Sequence, residues 1–229
     1  MRRNSGTRLF TAVLAVTLSA LSTANAAGNA EAGKTKSVFC QACHGVDGNN
    51  PVNPTWARLT VEDIRKMAAD PKLRLANPVW AKLAGQNADY LAKQLQNYRS
   101  GIRKDPIMSD MANGLSDADI LDIAAFYAAQ PLRPEFVEQG AAAKRGEEVY
   151  LKGIPKIGLP PCASCHGPTA HGTETLPRLA GQHAVYLQKQ LWFFKLGTRT
   201  TDKRMNDIAG KLPDDDIVAV AAYLSGLVN

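Results

Sequence analysis

Two short segments contain all four cysteines of this 229-residue chain: Cys40-Gln41-Ala42-Cys43-His44 and Cys162-Ala163-Ser164-Cys165-His166. Each is a C-x-x-C-H motif, which is typical of c-type haem attachment. Two thiols three positions apart reach the two vinyl groups of one haem as thioethers, and the adjacent imidazole ligates the iron. The motifs therefore predict two covalently attached haem c groups. The predicted attachment residues are Cys40, Cys43, Cys162 and Cys165, and the predicted histidine ligands of the iron are His44 and His166.

Three other uses of paired cysteines fit the sequence less well. Structural disulfides are expected in exported proteins, but a C-x-x-C pair closes only a very short loop in a chain of this length. A thioredoxin-like redox site accounts for one such motif near a βαβ pattern, and not for two that are followed by histidine. In a zinc site the two pairs are usually separated by ~12–20 residues, whereas 118 residues separate Cys43 from Cys162.

An internal repeat divides the chain into two related halves. Leu83-Ala84-Gly85-Gln86 recurs 96 residues later as Leu179-Ala180-Gly181-Gln182, and the segment after it repeats at the same offset. The two C-x-x-C-H motifs are 122 residues apart, so the first half has about 26 extra residues, which lie between 49 and 77. We predict two homologous domains with one haem each, at 27–130 and 141–229, joined by a linker at 131–140.

The repeat also identifies candidates for the second axial ligand of each iron. Met205 is the single methionine of the second half and lies seven residues before Leu212, just as Met108 lies seven residues before Leu115. A thioether opposite a histidine gives a six-coordinate haem with a raised potential, which suits electron transfer. We predict Met108 and Met205 as axial ligands and predict no catalytic residue.

Alternatives to these two ligands remain open. Met205 follows a polar stretch that we interpret as a loop, and its other role would be core packing. Met111 competes locally with Met108, but the equivalent position of the second half is an isoleucine, so we expect Met111 to pack near the haem. His171 and His183 would allow a bis-histidine haem in the second half. The first half has no histidine at the matching places, which favours surface or hydrogen-bonding roles for both.

Helical periodicity runs through both halves, without a competing alternation of strand type. Ser116 and Asp119 form a capping-box-like helix start, and apolar residues follow at helical spacing, as they do again from Ile217 onward. Further helices are predicted at 33–39, 90–98, 146–150 and 186–194. A short helix is predicted through 60–68, and Pro71 prevents it from continuing. We predict an all-α protein in which each haem fills the thin core of its domain. We interpret the extra segment as surface decoration; the alternatives are a partner-docking element and a cover over the first haem.

The N-terminus has the layout of a secretory signal peptide. Arg2, Arg3 and Arg8 accompany an apolar run at 9–21, which is too short to span a membrane comfortably, and Ala24-Asn25-Ala26 has the pattern of a cleavage site. We predict that residues 1–26 are removed and that the mature protein is periplasmic. An uncleaved anchor and a twin-arginine signal are the alternatives.

Charge excludes one class of partner. The chain has a net charge of +6, and loss of the three signal-peptide arginines leaves +3, divided between two weakly basic halves. Nucleic-acid binding requires a concentrated basic face, and the sequence contains none. We therefore predict no nucleic-acid partner.

The sequence resembles a known family, the di-haem cytochromes c4, over nearly all of residues 28–229. The resemblance rests on the paired C-x-x-C-H-G motifs, the repeated Leu-Ala-Gly-Gln with its Tyr-Leu-x-Lys-Gln-Leu helix, and the methionine seven residues ahead of the last helix start. It implies two class I cytochrome c domains about a pseudo-twofold axis, with haem propionates approaching each other across the interface. It also implies that the axial pairs are His44 with Met108 and His166 with Met205.

The function implied by the resemblance is periplasmic electron carriage, often towards a terminal oxidase and often with loose membrane association. The expected partners are a terminal oxidase, cytochrome bc1 or a dehydrogenase. The competing hypotheses are an electron-accepting subunit of a periplasmic dehydrogenase and a di-haem enzyme, such as a peroxidase or a thiosulfate-oxidising enzyme. Catalysis at iron needs an open or displaceable ligand, and a methionine at both equivalent positions argues against it.

Overall fold

The computed structural model describes residues 28–133, 140–173 and 175–227. Within these ranges the chain forms helices and one isolated β-bridge, between Ile154 and Leu159, and no strand. The prediction of an all-α protein is confirmed. The predicted signal peptide (1–26) and most of the predicted linker (134–139) lie outside the described residues. Among the described helices, none is long and apolar enough to cross a membrane.

The helices of the two halves follow the repeat. The first half contains α1 (Ala30–Lys36), α2 (Val38–His44), α3 (Val61–Ala69), α4 (Pro71–Ala76), α5 (Ala88–Arg99), α6 (Met108–Asn113) and α7 (Asp117–Ala128), with a 3₁₀ helix at Pro54–Arg58. The second half contains α8 (Ala141–Lys152), α9 (Ala163–His166), α10 (Ala184–Lys195), α11 (Lys203–Lys211) and α12 (Asp214–Ser225), with a 3₁₀ helix at Pro155–Ile157.

The observed helices extend beyond the predicted ranges 90–98, 146–150 and 186–194, and two other predictions differ in kind. The helix predicted at 33–39 is divided at Ser37, whose hydroxyl donates a hydrogen bond to the Lys34 carbonyl (3.0 Å) and so competes with regular helical pairing. Pro71 begins α4 at its first position, where a missing N–H costs nothing, as well as following α3. The predicted capping box of Ser116 and Asp119 is confirmed at the start of α7.

In each half, the first and last long helices cross at a glycine. Helix α1 packs on α7, and α8 packs on α12. A Cβ atom at Gly33 would overlap the carbonyl oxygen of Asp122, and one at Gly146 would overlap that of Ala219. Glycine is required at both positions because the two backbones approach so closely. Since α1 leads directly into α2, which ends at His44, this crossing also positions the first C-x-x-C-H motif.

The extra segment of the first half packs against the second half. Helix α3 contacts α10, and its residues Ile64 and Ala68 belong to the same buried cluster as Trp192 and Phe193. Trp56, just before α3, lies with its ring centroid 5.2 Å from that of His183. The interpretation of this segment as surface decoration is therefore wrong, because its apolar stripe is buried against another helix.

The two halves are joined by reciprocal hydrogen bonds from the repeated glutamines. Gln86 accepts from the backbone N–H of Arg178 (2.7 Å) and donates to its carbonyl oxygen (3.0 Å). Gln182, 96 residues later, accepts from the N–H of Lys82 (2.8 Å) and donates to its carbonyl oxygen (2.9 Å). All four residues are buried, so these amides satisfy backbone groups that have no access to water.

The glycine crossing of the second half gives a stability prediction. Gly146→Ala should destabilise the protein by about 1–3 kcal/mol, because the added methyl group overpacks the contact with α12. Its effect is measured as a lower midpoint of denaturant unfolding. Gly210→Ala is the matched control, since Gly210 is exposed in α11 and a Cβ there meets no atom within 4 Å; helix propensity should leave that midpoint unchanged or raised. Equal midpoints for Gly146→Ala and the parent protein would contradict the packing argument.

Candidate haem sites

One continuous cavity of about 760 Å³ is lined by residues of both halves. It brings together seven of the eight predicted site residues; Cys43, on α2, is the one that does not line it. The residues concerned are Cys40, His44 and Met108 from the first half, and Cys162, Cys165, His166 and Met205 from the second. Most of the remaining lining is apolar and includes Leu91, Leu95, Leu187 and Leu191 of the repeated helices α5 and α10.

His44 is held in an orientation that suits an iron ligand. Its Nδ1 atom lies 2.8 Å from the carbonyl oxygen of Ala81, which makes Nδ1 the protonated nitrogen. Its Nε2 atom is buried and has no hydrogen-bond partner among the described residues. Burial is the main cause that lowers the pKa of His44, so the ring is neutral and its Nε2 lone pair is available. The orphaned nitrogen fits a metal bond, and the residues present therefore fit a haem iron.

His166 repeats this arrangement in the second half. Its Nδ1 atom lies 3.3 Å from the carbonyl oxygen of Pro177, which is the residue 96 positions after Ala81. His166 is also buried, and burial lowers its pKa. Each imidazole is thus oriented by the backbone just before a Leu-Ala-Gly-Gln element.

The sulfur atoms of the four cysteines are available for thioether bonds to haem. Before attachment, burial raises the pKa of the Cys40 thiol and raises that of Cys162 to about 11. The chain pairs no cysteine in a disulfide, and the described residues contain no group of three His, Cys, Asp or Glu side chains that could hold a metal ion. The disulfide and zinc alternatives therefore have no support in the geometry.

The two predicted methionine ligands lie at the starts of equivalent helices. Met108 is the first residue of α6, and the Asp105 carboxylate accepts a hydrogen bond from its N–H (3.2 Å). Met205 lies on the first turn of α11, whose N-terminus is capped by Asp202. The expectation of a loop around Met205 is wrong at this point, because this cap begins the helix at Lys203.

The competing ligands do not reach the cavity. Met111 is 48% exposed and does not line it, so the expectation that Met111 packs near the haem is wrong; it faces outward on the short helix α6. His171 is exposed and its Nδ1 lies 2.8 Å from the Thr169 hydroxyl, as expected for a surface residue. His183 is not a surface residue: it is buried beside Trp56 of the extra segment and is absent from the cavity lining.

A second repeated set of polar residues lines the cavity and was not singled out from the sequence. Arg103 donates to Gln94 of its own half and to Tyr186 and Gln190 of the other, and Arg199, 96 residues later, makes the equivalent bonds with the halves exchanged. The repeat itself contains the signal for them, because all three residue types recur at the same offset as Leu-Ala-Gly-Gln.

Family models match the two halves separately. One, described as cytochrome c, matches residues 30–128, and another, described as cytochrome C oxidase, cbb3-type, subunit III, matches residues 141–224. Together with the paired motifs and the shared cavity, these matches define a di-haem c-type cytochrome with two cytochrome c domains in tandem. Its cofactors are two covalently bound haem c groups.

Three similar proteins narrow this class. A cytochrome c4 of Pseudomonas aeruginosa is 38% identical over 93% of this chain and 96% of its own. A thiosulfate dehydrogenase electron acceptor of Stutzerimonas stutzeri is 34% identical over 82% of this chain and 78% of its own. The crystal structure of reduced recombinant cytochrome c4 from Pseudomonas stutzeri matches with a TM-score of 0.73 at 38% identity, over 88% of this chain and 100% of that one. The chain belongs to the cytochrome c4 family, whose members are electron carriers.

Cysteine substitution tests the two attachment sites one at a time. The double variant Cys162→Ala/Cys165→Ala should retain one covalently attached haem per chain, where the parent protein has two, because the motif at 40–44 is intact. The haem-to-protein ratio after denaturation and removal of unbound haem measures this. The matched variant Cys40→Ala/Cys43→Ala should also retain one, and an unchanged ratio in either variant would show that the substituted cysteines hold no haem.

Proposed function

We propose that this chain is a periplasmic carrier that passes single electrons between respiratory proteins, towards a terminal oxidase. The axial pairs are His44 with Met108 and His166 with Met205. The observation that carries the proposal is that both histidines and both methionines line one cavity. With these pairs, each haem iron would have two protein ligands, and no coordination position would be open to a substrate. This favours electron transfer over catalysis at iron.

The chain's own residues perform three tasks in this function. The carbonyl groups of Ala81 and Pro177 keep each imidazole in one tautomer and one orientation. The Asp105 carboxylate holds the backbone that presents Met108. The leucines of α5 and α10 exclude water from the cavity. When bound, each haem supplies a one-electron couple, whose potential is raised by a methionine ligand and by burial.

Two properties of the chain support the proposed periplasmic location. The signal-peptide layout of residues 1–26 provides export, and covalent haem attachment through C-x-x-C-H occupies every cysteine of the protein. Peripheral contact with a membrane would bring the carrier near a membrane-bound oxidase or cytochrome bc1. Nucleic acid is not among the partners, because the net charge of +6 becomes small once the signal peptide is removed.

A second candidate function is supported by one relative. The Stutzerimonas stutzeri protein named a thiosulfate dehydrogenase electron acceptor is similar over 82% of this chain. We infer from it an alternative in which this chain accepts electrons from a periplasmic dehydrogenase, as its partner or subunit. The cofactors and axial pairs are the same in both proposals, and only the donor differs.

Methionine substitution tests the axial assignment. Met108→Ala and Met205→Ala should each convert one haem into a form that binds one carbon monoxide per chain, because the sixth position of that iron becomes free; the parent protein should bind none. Met111→Ala is the matched control, since Met111 is 48% exposed and does not line the cavity. Visible spectra of the reduced proteins with carbon monoxide give the result. Carbon monoxide binding by the parent protein would overturn the assignment and favour an enzyme.

Stopped-flow reduction distinguishes the two donors. A carrier for the respiratory chain should be reduced by purified cytochrome bc1 and reoxidised by a terminal oxidase within milliseconds to seconds, whereas a dedicated acceptor should be reduced by thiosulfate dehydrogenase with thiosulfate. Interfaces between transient redox partners are small, and salt screens the opposite charges that steer such partners together, so the rates should fall as salt is added. Reduction by the dehydrogenase alone would replace the first proposal by the second.

A further inference from the structure

The cavity is lined by an unusual number of buried basic side chains. Their relative exposures lie between 2% and 8%. The six residues are Arg74, Lys82, Arg103, Arg178, Lys189 and Arg199. The acidic residues of the lining are Asp105, Asp202 and Asp207, and none of these is buried. Positive charge therefore exceeds negative charge among the described residues that surround the cavity.

Buried charge of one sign requires charge of the other sign nearby. Arg103 and Arg199 direct their guanidinium groups at neutral amide and phenol oxygens. Lys189 has one carboxylate near it: its Nζ atom is 3.8 Å from Asp105 and 3.3 Å from the Val79 carbonyl oxygen. Burial lowers the pKa of Lys189 to about 8; the Asp105 carboxylate opposes this shift, and the charges of Arg103 and Arg74 add to it. Among the described residues, the partners of Arg103, Arg199 and Lys189 are therefore neutral groups and one carboxylate, that of Asp105.

Arg74 is the member of this group that comes from the extra segment. It lies on α4, is 8% exposed, and its guanidinium carbon is 5.2 Å from the centroid of the Phe193 ring on α10. Its Nε atom is buried and has no hydrogen-bond partner in the part of the chain that the structure describes. A buried guanidinium with an unused donor, lining a cavity, points to an anionic ligand there.

Comparison of the two halves shows what the extra segment changes. Lys189 on α10 corresponds to Lys93 on α5, 96 residues earlier. Lys93 is exposed, whereas Lys189 is 5% exposed. Helices α3 and α4 therefore create a buried cationic pair, Arg74 with Lys189, that has no counterpart in the other half.

We propose that Arg74 and Lys189 bind a propionate group of the haem attached to the first half. The propionates are the anionic groups of haem c, and a guanidinium forms strong paired hydrogen bonds with a carboxylate. The pair belongs to the first haem because its neighbours Val79 and Asp105 flank that pocket. Val79 lies two residues before Ala81, which holds His44, and Asp105 holds the start of α6, where Met108 lies. The extra segment is then a device that makes the two haems electrostatically unequal.

The sign of the effect follows from charge. Oxidation adds one positive charge to a haem, so a buried cation beside its propionate opposes oxidation and raises the reduction potential. Arg74→Gln should therefore lower the potential of the first haem. The expected change is about tenfold in the reduction equilibrium, which corresponds to about 59 mV for a one-electron couple. The reduction equilibrium constant of the second haem should change by less than about twofold.

The test is a potentiometric titration of the visible spectrum of the holoprotein. Arg74→Lys keeps the charge, so the potential of the first haem should stay at the parent value. Lys189→Gln should lower the potential of the first haem, as Arg74→Gln does. Lys72→Gln is the matched control, because Lys72 is exposed on the same helix as Arg74 and does not line the cavity; it should leave both potentials unchanged. The haem is identified in a Met108→His background, in which loss of the methionine ligand moves the first haem to low potential. The step that stays high then belongs to the second haem and should not respond to Arg74→Gln.

Each outcome decides the proposal. Unchanged potentials in Arg74→Gln would overturn it, as would equal shifts in Arg74→Gln and Arg74→Lys, which would indicate packing rather than charge. A shift confined to the second haem would overturn the assignment to the first. The inference rests on the proposed axial pairs, and the spectrum of the parent protein distinguishes failure of those pairs from failure of the propionate site. A high-spin haem in the parent protein would contradict the proposed function. Two low-spin haems in the parent, with unchanged potentials in the variants, would contradict the propionate site alone.

Discussion

The orientation of the two imidazoles is the constraint on which this structure depends. Each ring must present Nε2 to a buried cavity, and it does so because a backbone carbonyl, of Ala81 or Pro177, holds Nδ1. The residue after each carbonyl, Lys82 or Arg178, pairs through its backbone with a glutamine of the opposite half. One short segment in each half therefore orients a ligand and forms the interface at the same time. A change at the interface is therefore expected to alter the orientation of the histidine ligand.

This sharing explains why the two halves enclose one cavity. Neither half alone has enough buried apolar surface for an extensive core, and a haem in each supplies what the side chains do not. The repeated Arg103 and Arg199 each bond to both halves, so one part of the contact between the halves is polar, beside the apolar part that α3 forms with α10. The glycine crossings at Gly33 and Gly146 remain independent, one to each half, and fix the helices that precede the motifs.

The extra segment, which is present in the first half only, makes the two halves unequal. It leaves the first half after its haem motif, packs α3 on α10 of the second half, and returns to the first half at Val79. Its apolar stripe, with Ile64 and Ala68, is buried against a helix more than 100 residues further along the chain. The same packing buries Lys189 and places Arg74 at the cavity. A segment that joins the halves mechanically therefore also changes the charge around one haem pocket.

The sequence by itself determined the number of haems, the all-α class, the helices of the repeat and the candidate ligands, because these depend on local spacing: two thiols and a histidine within five residues, a capping box, and apolar residues at helical intervals. The same offset of 96 paired Met108 with Met205 to within one residue. Only the tertiary structure decided that α3 packs against α10 and that His183 is buried beside Trp56. It also decided that Met111 faces outward and that Arg74 lines the cavity. These properties depend on contacts between residues far apart in sequence, and the apolar stripe of a helix shows that it must be buried without showing against which partner.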